Sequence, residues 1–172
     1  MRRILLTSAA VLAVAVGAAG ANAAACYGPA ETTAVQVRML QSELMVAALA
    51  CRDSNPELGM IAQYNSFMHR VGDRLVRHSK VLQAYFSKHY GAASRKELES
   101  FVTALANDAS KRSMSSASYC QNAAELFSHV SALEQRDLER FSAARAAEIG
   151  MPVSSCASEV TARPAAKKTS AQ

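Results

Sequence analysis

The chain has no tryptophan, and tyrosine and phenylalanine supply only five residues each. Platforms that stack nucleic-acid bases need exposed rings, so that class of function finds little material here. Seven glycines and four prolines are few for 172 residues. No stretch alternates apolar and polar residues as a half-buried strand would. No Cys-x-x-Cys pair occurs. Its absence removes the common redox-active dithiol and covalent c-type haem. His69, His78, His89 and His129 follow Ser66, Leu75, Phe86 and Leu126 by three residues, so the Glu-x-x-His signature of di-iron bundles is missing. A glycine-rich phosphate loop, a nucleophile elbow and a clustered carboxylate pair are missing too. An enzyme therefore has no positive support in the sequence.

A long membrane-spanning run is also lacking. Arg2 and Arg3 precede an apolar segment, Ile4–Val16, and Ala21-Asn22-Ala23 places small residues at the −3 and −1 positions of a cleavage site. That is the order of a secretory signal peptide over residues 1–23, and the segment is too short to span a bilayer. Its removal leaves about 150 residues, enough for one domain with a real core and no transmembrane segment. The basicity then dissolves. Arg2 and Arg3 leave with the leader, and Arg163, Lys167 and Lys168 lie in the tail. Between Ala24 and Ala162 all 14 acidic residues face an equal number of basic ones. A basic footprint for nucleic acid is absent from the domain.

What the chain does have is helical periodicity. A first helix is expected over Thr33–Arg52, with Val37, Leu40, Leu44, Ala48 and Cys51 on one face. Asn55-Pro56 reads as a restart. A second helix runs to Tyr90, with a core stripe of Ile61, Tyr64, Phe67 or Met68, Val71, Leu75, His78, Leu82 and Phe86. Gly91 falls where a left-handed cap belongs, and Gly72 marks either a break or a close helix crossing. Ser94–Glu97 and Ser118–Gln121 read as capping boxes for a third and a fourth helix. A fifth begins near Ser131–Glu134 or continues the fourth, and Gly150-Met151-Pro152 stops the pattern. The expected fold is all-α: a single disulfide-stapled bundle of four to five helices. It comprises an N-terminal extension (24–32), the bundle (33–150) and a mostly disordered tail (151–172).

Four cysteines allow three pairings. The favoured one joins Cys51 to Cys120, from the end of the first helix to the start of the fourth, and Cys26 to Cys156 across the flexible flanks. Both read as structural staples in an oxidising compartment. Ala23-Ala24-Ala25-Cys26 loosely resembles a lipobox. The apolar segment ends too far upstream for it, and lipidating Cys26 would leave an odd number of thiols.

Candidate chemistry is sparse. His69 and His78 face opposite sides of the second helix, and His78 and His89 lie about 16 Å apart along it, so that helix offers no metal site. Met39, Met45, Met60 and Met68 lack a shared face and read as core filler rather than soft-metal ligands. Arg70, Arg74, Arg77 and Lys80 form a basic stripe, with Asp73 placed to pair within it. It is either a solvated face or a dock for an anionic partner, such as phospholipid head groups, an acidic protein or a glycan phosphate. His78, Thr103, Asn107 and Asp108 are candidates for a polar cleft. No metal and no cofactor is implied.

The run Leu40–Cys51, then Tyr64-Asn65-Ser66-Phe67, then Phe101–Asn107, resembles small exported proteins of alphaproteobacteria. The resemblance covers roughly residues 35–130. It implies a bacterial envelope setting and carries no activity across. The expected function is an exported, periplasmic or secreted, helical binding or interaction protein with a protein or small-molecule partner in the cell envelope. The alternative is a metal-binding protein or enzyme whose site is assembled from different helices.

Overall fold

Gly28 is extended, and Pro29, whose missing N–H needs no partner in a first turn, opens the first helix four residues before Thr33. The computed structural model describes residues 26–151 and 153–156. The expected leader (1–23), residues 24–25, Pro152 and the tail from residue 157 lie outside the described residues. Within them the chain forms five α-helices: α1 (Pro29–Ala50), α2 (Met60–Tyr90), α3 (Ser94–Met114), α4 (Tyr119–Ser131) and α5 (Leu138–Glu148). The only β-pairing among these residues is a parallel bridge between Tyr27 and Ser155.

Helix α1 is the axis of the bundle and touches each of the other four. The expected stripe is buried in full, but burial does not stop there. Ala34, Val35, Met39, Ser42, Glu43 and Ala47 are buried as well. A helix with apolar residues on nearly every side belongs in the middle of a bundle rather than on its surface. The largest core cluster joins Leu40 and Leu44 of α1 to Phe67 and Val71 of α2, Phe127 of α4 and Leu138 at the start of α5.

The helix ends depart from the expected caps. Pro56–Leu58 forms a separate 3₁₀ turn. Gly59, at a left-handed φ of 57°, then lets the chain re-enter helix at Met60. Gly91 does end α2 with φ 51°. Neither capping box forms. A 3₁₀ turn at Gly91–Ala93 runs straight into Ser94, which leaves no room for a side-chain cap, and the Ser118 hydroxyl bonds that of Ser116 at 3.1 Å instead. Gly72 neither breaks α2 nor marks a close crossing, because a Cβ there would meet nothing within 4 Å. Helices α4 and α5 are separate, divided by a 3₁₀ turn at Gln135–Asp137.

Both favoured disulfides are present. Cys26–Cys156 has Cα atoms 4.9 Å apart, and Cys51–Cys120 has them 5.7 Å apart. With Sγ of Cys26 bonded to Cys156, that thiol is not open to a lipid. Two such bonds suit an oxidising compartment. No helix among the described residues is long and apolar enough to cross a membrane.

Candidate functional site

Because α1 is central, a polar residue on it must find a partner from another helix. Glu43 sits between Ser42 and Leu44, both buried, and its own side chain is only 5 % exposed. Arg145 of α5 meets it side-on. Nε donates to Oε2 at 3.1 Å and Nη2 to Oε1 at 2.5 Å. The third guanidinium nitrogen, Nη1, reaches Glu148 at 2.9 Å. Two parallel bonds between fork and carboxylate fix orientation as well as charge. The bond from Glu43 is the main reason that Arg145 holds its proton more tightly than an ordinary arginine.

Arg145 of this pair lines two neighbouring clefts, and Glu43 lines one of them. One, of ≈ 310 Å³, is lined by Asn122, Glu125, His129, Phe141, Arg145 and Glu148 among others. The other, of ≈ 220 Å³, is lined by Glu43, Arg112, Ser115, Ser116, Tyr119 and Arg145 among others. They share Asn122, Leu126 and Arg145. The turn after α3 delivers Tyr119 to the first position of α4. The Tyr119 hydroxyl is buried and has no hydrogen-bond partner. Burial above all, and then the Glu43 carboxylate, push its ionisation up, against the opposing pull of Arg112 and Arg145. Arg112 is half-buried and forms no ion pair among the described residues. Both signs of charge therefore line the walls, and a phenol and a guanidinium are left unpartnered.

The residues singled out from sequence fall elsewhere. The basic stripe divides. Arg70 turns inward and donates from Nη2 to the Val130 carbonyl at 2.6 Å, while its own carbonyl accepts from Gln135 Nε2 at 2.6 Å. Arg74 donates to Glu139 of α5 at 2.7 Å. Only Arg77 and Lys80 stay exposed, and Asp73 pairs with neither Arg70 nor Arg77. Two of the four cations thus lock α2 to α4 and α5, which shortens the stripe as a docking face. The supposed polar cleft does not assemble. His78 lies 3.0 Å from Glu139, Asp108 pairs with Lys111 at 3.1 Å, and Thr103 and Asn107 are exposed. Met39 and Met60 are core residues, and Met68 Sδ accepts from Gln41 Nε2 at 3.5 Å. Among the described residues no three His, Cys, Asp or Glu side chains gather closely enough to hold a metal ion.

Comparison with known protein families, with characterised proteins and with solved structures finds no match for this chain. Sequence reasoning passed over Glu43, although a signal was there: one acid directly before the apolar run Leu44–Ala50, on the face continuous with Leu40 and Leu44. Arg112, Tyr119 and Arg145 carried no such signal, since only packing brings them beside it.

Proposed function

We propose that this chain is an exported binding protein of the periplasm or extracellular space, one that holds a small polar ligand in the double cleft beside Glu43 and Arg145. The observation that carries this reading is that the buried, unpartnered Tyr119 hydroxyl and the half-buried, unpaired Arg112 belong to residues that line one cleft together with the bidentate Glu43–Arg145 pair. A buried hydroxyl without a bond costs about 1–3 kcal/mol, and a ligand that supplies an acceptor relieves it. Four helices contribute to the walls, so the site is preorganised rather than borne on one loop. Export is supported by the leader pattern and by the two disulfides.

The test has two arms. Protein recovered from the periplasm or medium of an expressing bacterium should begin at Ala24 and contain no free thiol. A cytoplasmic chain that keeps residues 1–23 counts against export. Acetate, glycine and spermidine, titrated into the oxidised protein, should sort by charge. At least one should move the amide resonances of Tyr119, Asn122 and Arg145 saturably, and Arg112→Ala should weaken it. If none of the three disturbs those amides, the cleft is not a ligand site.

A further inference from the structure

A second site arises on the opposite flank of α1. Arg38 lies between Val37 and Met39, both buried, on the central helix. It is half-buried, as its place on that helix requires. Its Nη1 donates to Gln41 Oε1 at 2.8 Å, and its Nε is buried with no partner at all. No carboxylate meets it. The ion pairs among the described residues take Arg52, Arg74, Arg136, Arg140 and Arg145 and leave Arg38 out. Burial weakens its hold on its proton, with only the Tyr64 phenol pulling the other way. A desolvated guanidinium lacking a counter-ion is costly, and proteins normally supply the carboxylate themselves.

A cleft of ≈ 170 Å³ opens at the junction of α1, α2 and α3, lined by Arg38, Ser79, Leu82, Gln83, Leu98 and Val102. It shares no residue with the double cleft. Three of its six linings are aliphatic. A dry cavity of about 150 Å³ accepts a benzene ring, so this cleft has room for a ring or a short alkyl body. Ser79 and Gln83 add a hydroxyl and an amide to the wall.

We propose that this cleft binds a small organic monocarboxylate, with the acid group on the Arg38 guanidinium and the apolar body against Leu82, Leu98 and Val102. One cation matches one negative charge. The carboxylate would meet the guanidinium at Nη2, while Nη1 stays with Gln41 and Nε stays buried behind them. Inorganic phosphate carries more charge and leaves the aliphatic wall wet.

Benzoate, benzyl alcohol and inorganic phosphate serve as probes on the oxidised mature chain, read by amide chemical shifts and by thermal melting. Benzoate should bind saturably in the millimolar range and move the amides of Ser79, Gln83, Leu98 and Val102. Benzyl alcohol, the same body without the charge, should bind at least about tenfold more weakly. Arg38→Gln should abolish the preference for the acid while leaving the melting temperature of the unliganded protein unchanged or higher, because it removes an unpaired buried charge. Equal binding of benzoate and benzyl alcohol overturns the proposal. So does phosphate binding as tightly as benzoate, or a sharp fall in the melting temperature of Arg38→Gln, which would make Arg38 a structural cation. The comparison of the acid with the alcohol uses the unmodified protein and stands even if the variant fails to fold.

Discussion

Removing the two halves of the Glu43–Arg145 pair one at a time should give very unequal results. Glu43 is the deeper partner, 5 % exposed against 21 % for Arg145. Arg145→Met strips the carboxylate of both its bonds and leaves a buried, uncompensated charge on the central helix. Losses of that kind run to about 3–5 kcal/mol. At about 2–4 °C per kcal/mol for a chain of this size, the melting temperature should fall by roughly 6–20 °C. Glu43→Gln is gentler. The amide oxygen still accepts from Arg145, and Arg145 keeps Glu148 at 2.9 Å. About 1–2 kcal/mol should be lost. The double variant Glu43→Met/Arg145→Met replaces the pair by apolar bulk and should return to within about 1 kcal/mol of the parent, since the surface pair with Glu148 is worth little. Urea unfolding of the parent and the three variants gives each loss directly. The reasoning fails if Arg145→Met costs no more than Glu43→Gln, or if the double variant is as unstable as Arg145→Met alone.

Burial works to raise the ionisation of the Glu139 carboxyl, but hydrogen bonds from His78, from its own backbone and from Arg74 together hold it below its ordinary 4.5. A carboxyl lowered on folding stabilises the fold above its unfolded pKa, and that stability goes as pH falls through the lower folded value. Stability should therefore fall more steeply below about pH 4.5 in the parent than in Glu139→Gln, whose curve should be flatter there, as urea unfolding across acid pH would show. Burial first, and then Tyr85 and Tyr90, push the Tyr27 phenol up to about 12. Stability should fall as pH rises from 10 towards 12, and phenolate absorbance should show a late step that Tyr27→Phe removes. Gly72→Ala should stabilise by about 0.5–1 kcal/mol, because the site is mid-helix with open space around a Cβ. Gly91→Ala, at φ 51°, should destabilise by about 1 kcal/mol or more in the same urea assay.

The stripe Val37–Cys51 was legible because apolar spacing on a helix depends on nearest neighbours alone. The disulfide pairing was legible because one pair lay in chain ends and the other at facing helix ends. Helix caps were not. Ser94 and Ser118 have the right types and spacing, yet 3₁₀ turns and a neighbouring serine compete for the same groups. The basic stripe failed for a related reason. Arg70 and Arg74 share a helix face with Arg77, but α4 and α5 pack over the end of that face and claim them. The double cleft was illegible in outline, since its walls come from α1, the end of α3, α4 and α5, and no single-helix period joins Glu43 to Arg145. Arg38 was hidden differently. On a surface helix a lone arginine means nothing. It became informative only once α1 proved to be the axis.

The two disulfides are nested, with Cys51–Cys120 enclosed by Cys26–Cys156. Covalently the described chain is thus a closed loop with a crossbar. A single backbone cut anywhere between Cys26 and Cys156 releases no fragment. Two cuts free a piece only when it carries both of Cys51 and Cys120 or neither. The exposed turn at residues 115–118 is the natural place for a first nick, and it lies inside both rings. A nicked molecule would run as an intact chain on a non-reducing gel and fall into two on a reducing one, while its helices stayed anchored where they were.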